Sequence, residues 1–505
     1  MPQPARVQKW LGNWRVAVLV CVALLLLRSW FFLAWEASYF DSDQALVGLM
    51  AKHLAAGRAK PLFFYGQEYM LAVEAWVSAP FIAVFGTSVA ALRTALVALN
   101  LATGLLLLRL LVTDAGLGIW SAVAASSIFW IAPIVPAANL VEAQGGNIEP
   151  FLWALVLWLL RRRPLALGTC LAFAFMNREF SIYAAPMLLL VHAVETRFAL
   201  RLVALDWAAT VVAFLVVYTA IQLLKPHADL LGPGSAGASV GTLGQNTIEL
   251  VVERIHWNPR ELAPRFIAMA TDHMPTMLGF KHFAPMNAAI VSDVRVGWAM
   301  AAPVLASLAI IGLIFLAVDA RAVMRGPNRW WLFPIYLAGI GVIAAIAYPI
   351  SRPLNIVTVR YGLLVLYAPV GLAALMLHPS RRAALRVIGA GCVVIFAVCS
   401  AIDHARVLAG AVKAPPPAPM RQVLTRLEQR GVEVAVTDYW RAYVLTFLSG
   451  EKIKVASSNF ERIREYNALA DRLIGGKQPS GVVIIQPHPC VVGGERVAGW
   501  YLCDK

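Results

Sequence analysis

Apolar residues run along most of the chain in long blocks, and short polar loops separate the blocks. A stretch such as VAVLVCVALLLLRSWFFLAW, residues 16–35, has about the 20 residues that a helix needs to cross a hydrocarbon core. Such blocks predict eleven spans, at 16–35, 89–111, 117–138, 147–160, 164–176, 180–194, 205–224, 297–318, 331–350, 359–377 and 387–403. The fifth and sixth are short. Fusing them would put the basic loops at 161–163 and 196–201 on opposite faces, so a tilted or re-entrant pair is predicted.

Past residue 403 the pattern changes. A Pro-rich linker, 404–420, ends in KAPPPAPM, and residues 421–505 alternate short strands (VEVAVTD, KIKVASS, VVIIQP) with amphipathic helices. That alternation predicts a small α/β domain on a parallel sheet. Its first strand is followed by no Gly-rich phosphate loop, so acceptor recognition or capping is expected of it and not nucleotide binding. The fold class expected is therefore an all-α polytopic membrane protein with a small C-terminal α/β domain.

Composition agrees: 60% of residues are hydrophobic and 14% charged, against roughly half and a quarter in soluble proteins. A formal charge of +15 from 43 Lys and Arg raises the question of nucleic acid. The basic residues argue against it, because they sit in short loops: RRR at 161–163, TRFALR at 196–201, RAVMRGPNR at 321–329 and RRAALR at 381–386. With Arg6, Lys9 and Arg15 these all fall on one side of an eleven-span topology, the positive-inside pattern. The N-terminus is then cytoplasmic, while segments 36–88 and 225–296 and the C-terminal domain are extracytoplasmic. A cleaved signal peptide is disfavoured, since the first block is long and carries Arg28. Cys21, Cys170, Cys392 and Cys399 read as small buried hydrophobes. Cys490 and Cys503 lie in the extracytoplasmic tail and are either a disulfide or two free thiols.

Charge is otherwise rare, which isolates the motif FDSD at 40–43. After it Leu46, Leu49, Met50, His53 and Leu54 form the stripe of an amphipathic helix. Asp41 can cap that helix, with Gln44 completing a capping box, and Asp43 then sits in the first turn. The alternative reading is chemical. Lys52, His53, Arg58, Lys60, Glu68 and Glu74 share the segment, and the topology brings Glu142, Glu149, Arg178, Glu179, Arg352, Arg360 and Tyr361 to the same face. Carboxylates and cations at one membrane surface suit transfer from an anionic lipid carrier: a carboxylate takes the proton of an incoming hydroxyl, and Arg and Lys hold the leaving phosphate. The histidines at 227, 256, 273 and 282 are too irregularly spaced to argue for a metal.

An acidic first loop, then YGQEYM, then APFIAVFGTSVAALR, then a late RYGLLVLYAP together resemble the bacterial membrane glycosyltransferases of the GT-C superfamily, relatives of protein O-mannosyltransferases and of the lipid A aminoarabinose and galacturonic acid transferases. The resemblance covers most of residues 10–402, and the tail is similar to a small domain that some members carry. It implies a bacterial inner-membrane enzyme that moves a hexosyl or pentosyl group, with inversion, from a polyprenyl-phosphate donor to an envelope glycan, lipid or protein acceptor. It also implies Asp43 as general base with Asp41 assisting or capping; Lys60, Arg178 and Arg360 for the donor phosphate; and Glu68, Glu74, Tyr65 and Gln67 for sugar or acceptor. The family's usual Asp-Glu pair would be Asp43-Gln44 here, so a divalent metal is possible and none is assigned. A transporter or lipid flippase is the competing class. It should show repeated halves and charge at mid-membrane, and the sequence has neither.

Overall fold

A computed structural model describes residues 4–35, 40–237, 246–255, 258–281, 296–325, 329–351, 356–475, 481–491 and 493–504. The chain begins with α1 (Pro4–Ala34) and α2 (Ser42–Ala55). A hairpin of β1 (Phe63–Phe64) and β2 (Gln67–Leu71) leads into α3 (Val73–Phe85) and α4 (Val89–Thr113). There follow α5 (Ile119–Trp130), α6 (Ile134–Asn139), α7 (Glu149–Leu160), α8 (Pro164–Asn177), α9 (Ala184–Glu195) and α10 (Leu200–Leu223). Three short helices, α11 (Thr247–Glu253), α12 (Pro259–Ala268) and α13 (Met274–Met277), precede α14 (Val296–Arg325) and α15 (Leu332–Ser351). A 3-10 segment, Ile356–Leu366, runs into α16 (Tyr367–Leu377), and α17 (Ala383–Lys413) completes the bundle.

Each predicted span contains a helix, and among the described residues six helical stretches are long and apolar enough to cross a membrane. The protein is a polytopic membrane protein. Three spans depart from a continuous α-helix, the first being 180–194, which starts as a 3-10 turn over Glu179–Tyr183. The expected span 117–138 stops at Trp130 and resumes at Ile134, because Pro133 and Pro136 cannot continue the ladder of hydrogen bonds. The expected span 359–377 begins in the 3-10 segment, which leaves Arg360 and Tyr361 on tighter backbone. Close packing relies on small residues: a Cβ on Gly341 would meet the backbone of Ala368, and one on Gly371 that of Pro334, so α15 and α16 touch backbone to backbone. Arg28, the one cation inside the first span, is fully buried and donates to the Phe129 carbonyl and to Asn100 Oδ1, tying α1 to α5 and α4.

Helix α17 continues ten residues beyond the apolar run that predicts it, so the extended connection is only 414–418. Then come α18 (Pro419–Gln429), β3 (Val434–Thr437), α19 (Tyr439–Leu448), β4 (Lys454–Ser457), α20 (Arg464–Ile474), β5 (Val482–Gln486), β6 (Glu495–Val497) and β7 (Trp500–Asp504). The sheet order is β4-β3-β5-β7-β6. Strands β3, β4 and β5 are parallel as expected, but β7 and β6 add antiparallel, so the sheet is mixed. At three and five residues they are too short for an alternation to be read from the sequence. Cys490 and Cys503 form a disulfide that anchors this edge.

The sheet region docks on α2 through α19. Gly48 lets the Phe447 ring lie directly on the α2 backbone, where a Cβ would sit 2.3 Å from it. At one end of the contact Glu451 is the hub. Its side chain is 5% exposed and meets Lys52 Nζ at 2.6 Å, His53 Nε2 at 3.0 Å and Arg58 Nη1 at 3.1 Å, and Tyr466 donates to it at 2.7 Å. Glu451 adopts φ 64° to reach them, a left-handed conformation that costs a non-glycine residue about 1–3 kcal/mol. Burial alone would raise its carboxyl, but the hydrogen bonds and charge of His53 and Lys52 prevail and hold it far below the usual range. A depressed carboxylate contributes stability above the ordinary glutamate range and loses it as the pH falls. We therefore expect the α19 contact to loosen below about pH 4.5, read as faster hydrogen exchange of α19 amides. Glu451→Gln should loosen it at neutral pH by about 2 kcal/mol, less than a fully buried pair because Lys52 and Arg58 still reach water; unchanged exchange in this variant would show that the hub does not hold the contact.

Candidate active site

The start of α2 is set by Asp41, whose backbone is extended and whose Oδ1 accepts from the Gln44 amide at 3.1 Å. Capping uses one carboxylate oxygen. The other, Oδ2, accepts from Gln144 Nε2 at 2.9 Å, and Gln144 Oε1 in turn accepts from Arg360. Within the first turn, Asp43 Oδ1 accepts from the Tyr439 hydroxyl at 2.5 Å, and its Oδ2 lies 3.8 Å from Arg360. Two aspartates, one glutamine and one arginine thus close a small circuit drawn from α2, the 140–148 loop and the 3-10 segment before α16.

Gln44 does not complete that circuit. It is buried, and its Oε1 accepts from Arg93 of α4 at 3.4 Å, while Arg93 also donates to the Phe32 carbonyl at 2.6 Å. The Gln44 amide therefore meets a buried cation that is already anchored. Glu142 lies on the other side of Asp41. Burial, and then the neighbouring Asp41 charge, push its carboxyl up to about 8, against the pull of Arg93 and Arg360. Asp41 is raised to about 6 by burial and by Asp43. At neutral pH the cluster therefore keeps Asp41 ionised and carries its proton on Glu142.

The 140–148 loop is held from both ends. Asn100 donates to the Leu140 carbonyl at 2.6 Å. Gly145 and Gly146 take φ of 81° and 116°, the region that favours glycine, and their amides converge on Glu74 at 2.6 Å each. Glu74, expected to meet sugar, is buried under this loop and fixes the backbone beside Gln144. Arg178 packs against Gly146, with its guanidinium 5.4 Å from the Tyr361 ring and Nη1 3.1 Å from Met70 Sδ. Its Nε and that of Arg360 are buried without a hydrogen-bond partner. Arg178 and Arg360 thus flank Tyr361 from two elements, each with a donor to spare.

Asp41, Asp43 and Arg360 come together, with Arg178 and Glu74 adjoining. The other expected residues are placed elsewhere. Tyr65 is buried and its hydroxyl meets His53 Nδ1 at 3.3 Å, behind the Glu451 hub. Lys60 is exposed after α2, with its backbone amide on Asp229. Gln67 and Glu68 lie on β2, Gln67 opposite Phe64 and Glu68 within electrostatic reach of Lys225. Arg352, His256 and His282 lie outside the described residues. Sequence reading missed Gln144 and Tyr439. The paired glycines after Gln144 and the Asp438 cap before Tyr439 were the available signals.

The donor set does not fit a divalent metal. The Asp41 oxygens face amide donors, the Asp43 oxygens face a phenol and a guanidinium, and among the described residues no three His, Cys, Asp or Glu converge as ligands. Arg360 stands where a cation would be needed.

No family model matches the sequence, and no curated protein matches it. Solved structures do. The chain is similar to ArnT from Cupriavidus metallidurans bound to undecaprenyl phosphate, at 13% identity, with 97% of each chain covered and a TM-score of 0.57. The apo form of the same protein aligns over 94% of this chain and 93% of its own, also at 13% identity, with a TM-score of 0.43. Broken helices beside an acidic first loop, a docked C-terminal sheet and end-to-end similarity to this solved structure together give the chain an ArnT-like fold.

Proposed function

We propose that the protein is a glycosyltransferase that moves a hexosyl or pentosyl group from a polyprenyl-phosphate donor to a hydroxyl of an envelope glycan, lipid or protein, at the extracytoplasmic face of a bacterial inner membrane. The observation that carries the reading is the pairing of Asp43 with Arg360, with Gln144 tying the same arginine to Asp41, in a fold shared with a protein crystallised with undecaprenyl phosphate. The basic loops at 161–163, 196–201, 321–329 and 381–386 support the orientation.

The chemistry follows from the geometry. Asp43 takes the proton of the acceptor hydroxyl as its oxygen bonds to the anomeric carbon. The bond from that carbon to the phosphate oxygen breaks, and the electron pair leaves with the phosphate. Arg360 and Arg178, each with an unused buried Nε–H, neutralise the charge that develops there. A single displacement of this kind inverts the anomeric centre. The ionised Asp41 holds Gln144 as a donor, which turns the Gln144 Oε1 toward Arg360. A neutral Glu142 spares Arg360 a competing partner.

Mass spectrometry of envelope lipids and glycans with and without the gene should show one sugar lost. Asp43→Asn should lower transfer by about a hundredfold or more at equal protein level, with Asp41→Asn causing a smaller loss. Full transfer by both would reduce the aspartates to helix caps. The rate should rise as Asp41 ionises around pH 6 and fall as Glu142 ionises around pH 8. Glu142→Gln should remove the alkaline fall and leave the acid rise; a profile unchanged by this substitution would remove Glu142 from the account.

A further inference from the structure

The C-terminal region reaches the proposed base itself. Tyr439 is the first residue of α19, and three contacts fix its position. Asp438 caps the helix by accepting from the Trp440 amide at 3.0 Å, and the Tyr439 amide donates to Asn459 Oδ1 at 2.8 Å. From the other side Ser42 Oγ donates to the Tyr439 carbonyl at 2.5 Å, so the residue beside Asp43 is bonded to the same tyrosine. The ring is 4% exposed, packed edge-on against Trp440, Tyr443 and Phe460, with the Arg462 guanidinium 5.6 Å away. Arg462 also donates to the Gly66 carbonyl in the β1–β2 turn. Burial, and then the Asp43 charge, push the phenol above its usual range, so it stays protonated and donates.

We infer that Tyr439 is a positioning residue for the transfer reaction, holding Asp43 Oδ1 by its hydroxyl so that Oδ2, on the Arg360 side, is the oxygen that receives the acceptor proton. This rests on the reading of Asp43 as general base. Three consequences follow from the geometry. The tyrosine keeps its own proton throughout, while the acceptor proton goes to Oδ2 and the electron pair of the broken bond goes to the phosphate. With Oδ1 taken up by the phenol, the carboxylate keeps Oδ2 turned toward Arg360. The C-terminal region is then needed for the chemical step and not for acceptor capture alone.

Tyr439→Phe in the full chain keeps the ring and removes the bond. Transfer should fall roughly tenfold to a hundredfold in kcat, the scale of one hydrogen bond to a charged group, with donor KM unchanged. The Asp43 carboxylate band, assigned in infrared difference spectra by its loss in Asp43→Asn, should move in frequency in Tyr439→Phe, because Oδ1 loses its hydrogen bond. Rescue does not come from packing, so Phe460→Leu, which changes only the neighbouring ring, should leave that band in place. If Asp43→Asn abolishes transfer while Tyr439→Phe keeps wild-type kcat and carboxylate band, the tyrosine assignment is overturned and the glycosyltransferase reading stands. If Asp43→Asn transfers normally, the base assignment fails and this one fails with it.

Discussion

A carboxylate at the rim of an apolar bundle must find a donor or a cation, because ionised groups are costly to withdraw from water. That constraint organises the whole site. Asp41 is served by its own helix and by Gln144, Asp43 by Tyr439 and Arg360, and Glu74 by two consecutive amides. Glu142 meets the requirement differently, by keeping its proton. The partners come from segments far apart in the chain, so satisfying the acids is also what brings α2, the 140–148 loop, the 3-10 segment and α19 to one place.

The same logic separates structural from chemical charge. Arg28 and Arg93 spend their donors on carbonyls and amide oxygens of neighbouring helices. The Glu451 hub gathers cations that look equally promising in sequence, yet it joins the sheet region to α2 and has no part in the Asp43 circuit. Arg178 and Arg360 differ in where they sit: both flank the Tyr361 ring beside the acidic circuit, the first from the end of α8 and the second from the 3-10 segment that also brings it to Asp43.

Much of the helical layout was legible, since length and apolarity are local properties. The breaks were legible only in part: Pro133 and Pro136 mark one, but nothing in RYGLLVLYAP distinguishes a 3-10 start from a helical one. Both aspartates could be singled out because charge is scarce around them. Their division of labour could not, since it depends on Gln144 and Tyr439, whose positions relative to α2 are set by tertiary packing across 103 and 396 residues of chain. Glu74 illustrates the converse. A glutamate near a catalytic motif reads as a ligand-binding group until the glycine pair that folds over it is seen.

The brevity of the 414–418 connection bears on how the site assembles. Five residues reach at most roughly 17 Å, and proline stiffens them further. Tyr439 can therefore never stray far from Asp43, and its local concentration there is on the order of millimolar or higher whatever the abundance of the protein. A weak bond presented at that concentration is closed most of the time. The rigid continuation of α17 thus converts a modest contact into a standing part of the site, and lengthening the connection would dilute it without altering a single residue that touches the acids.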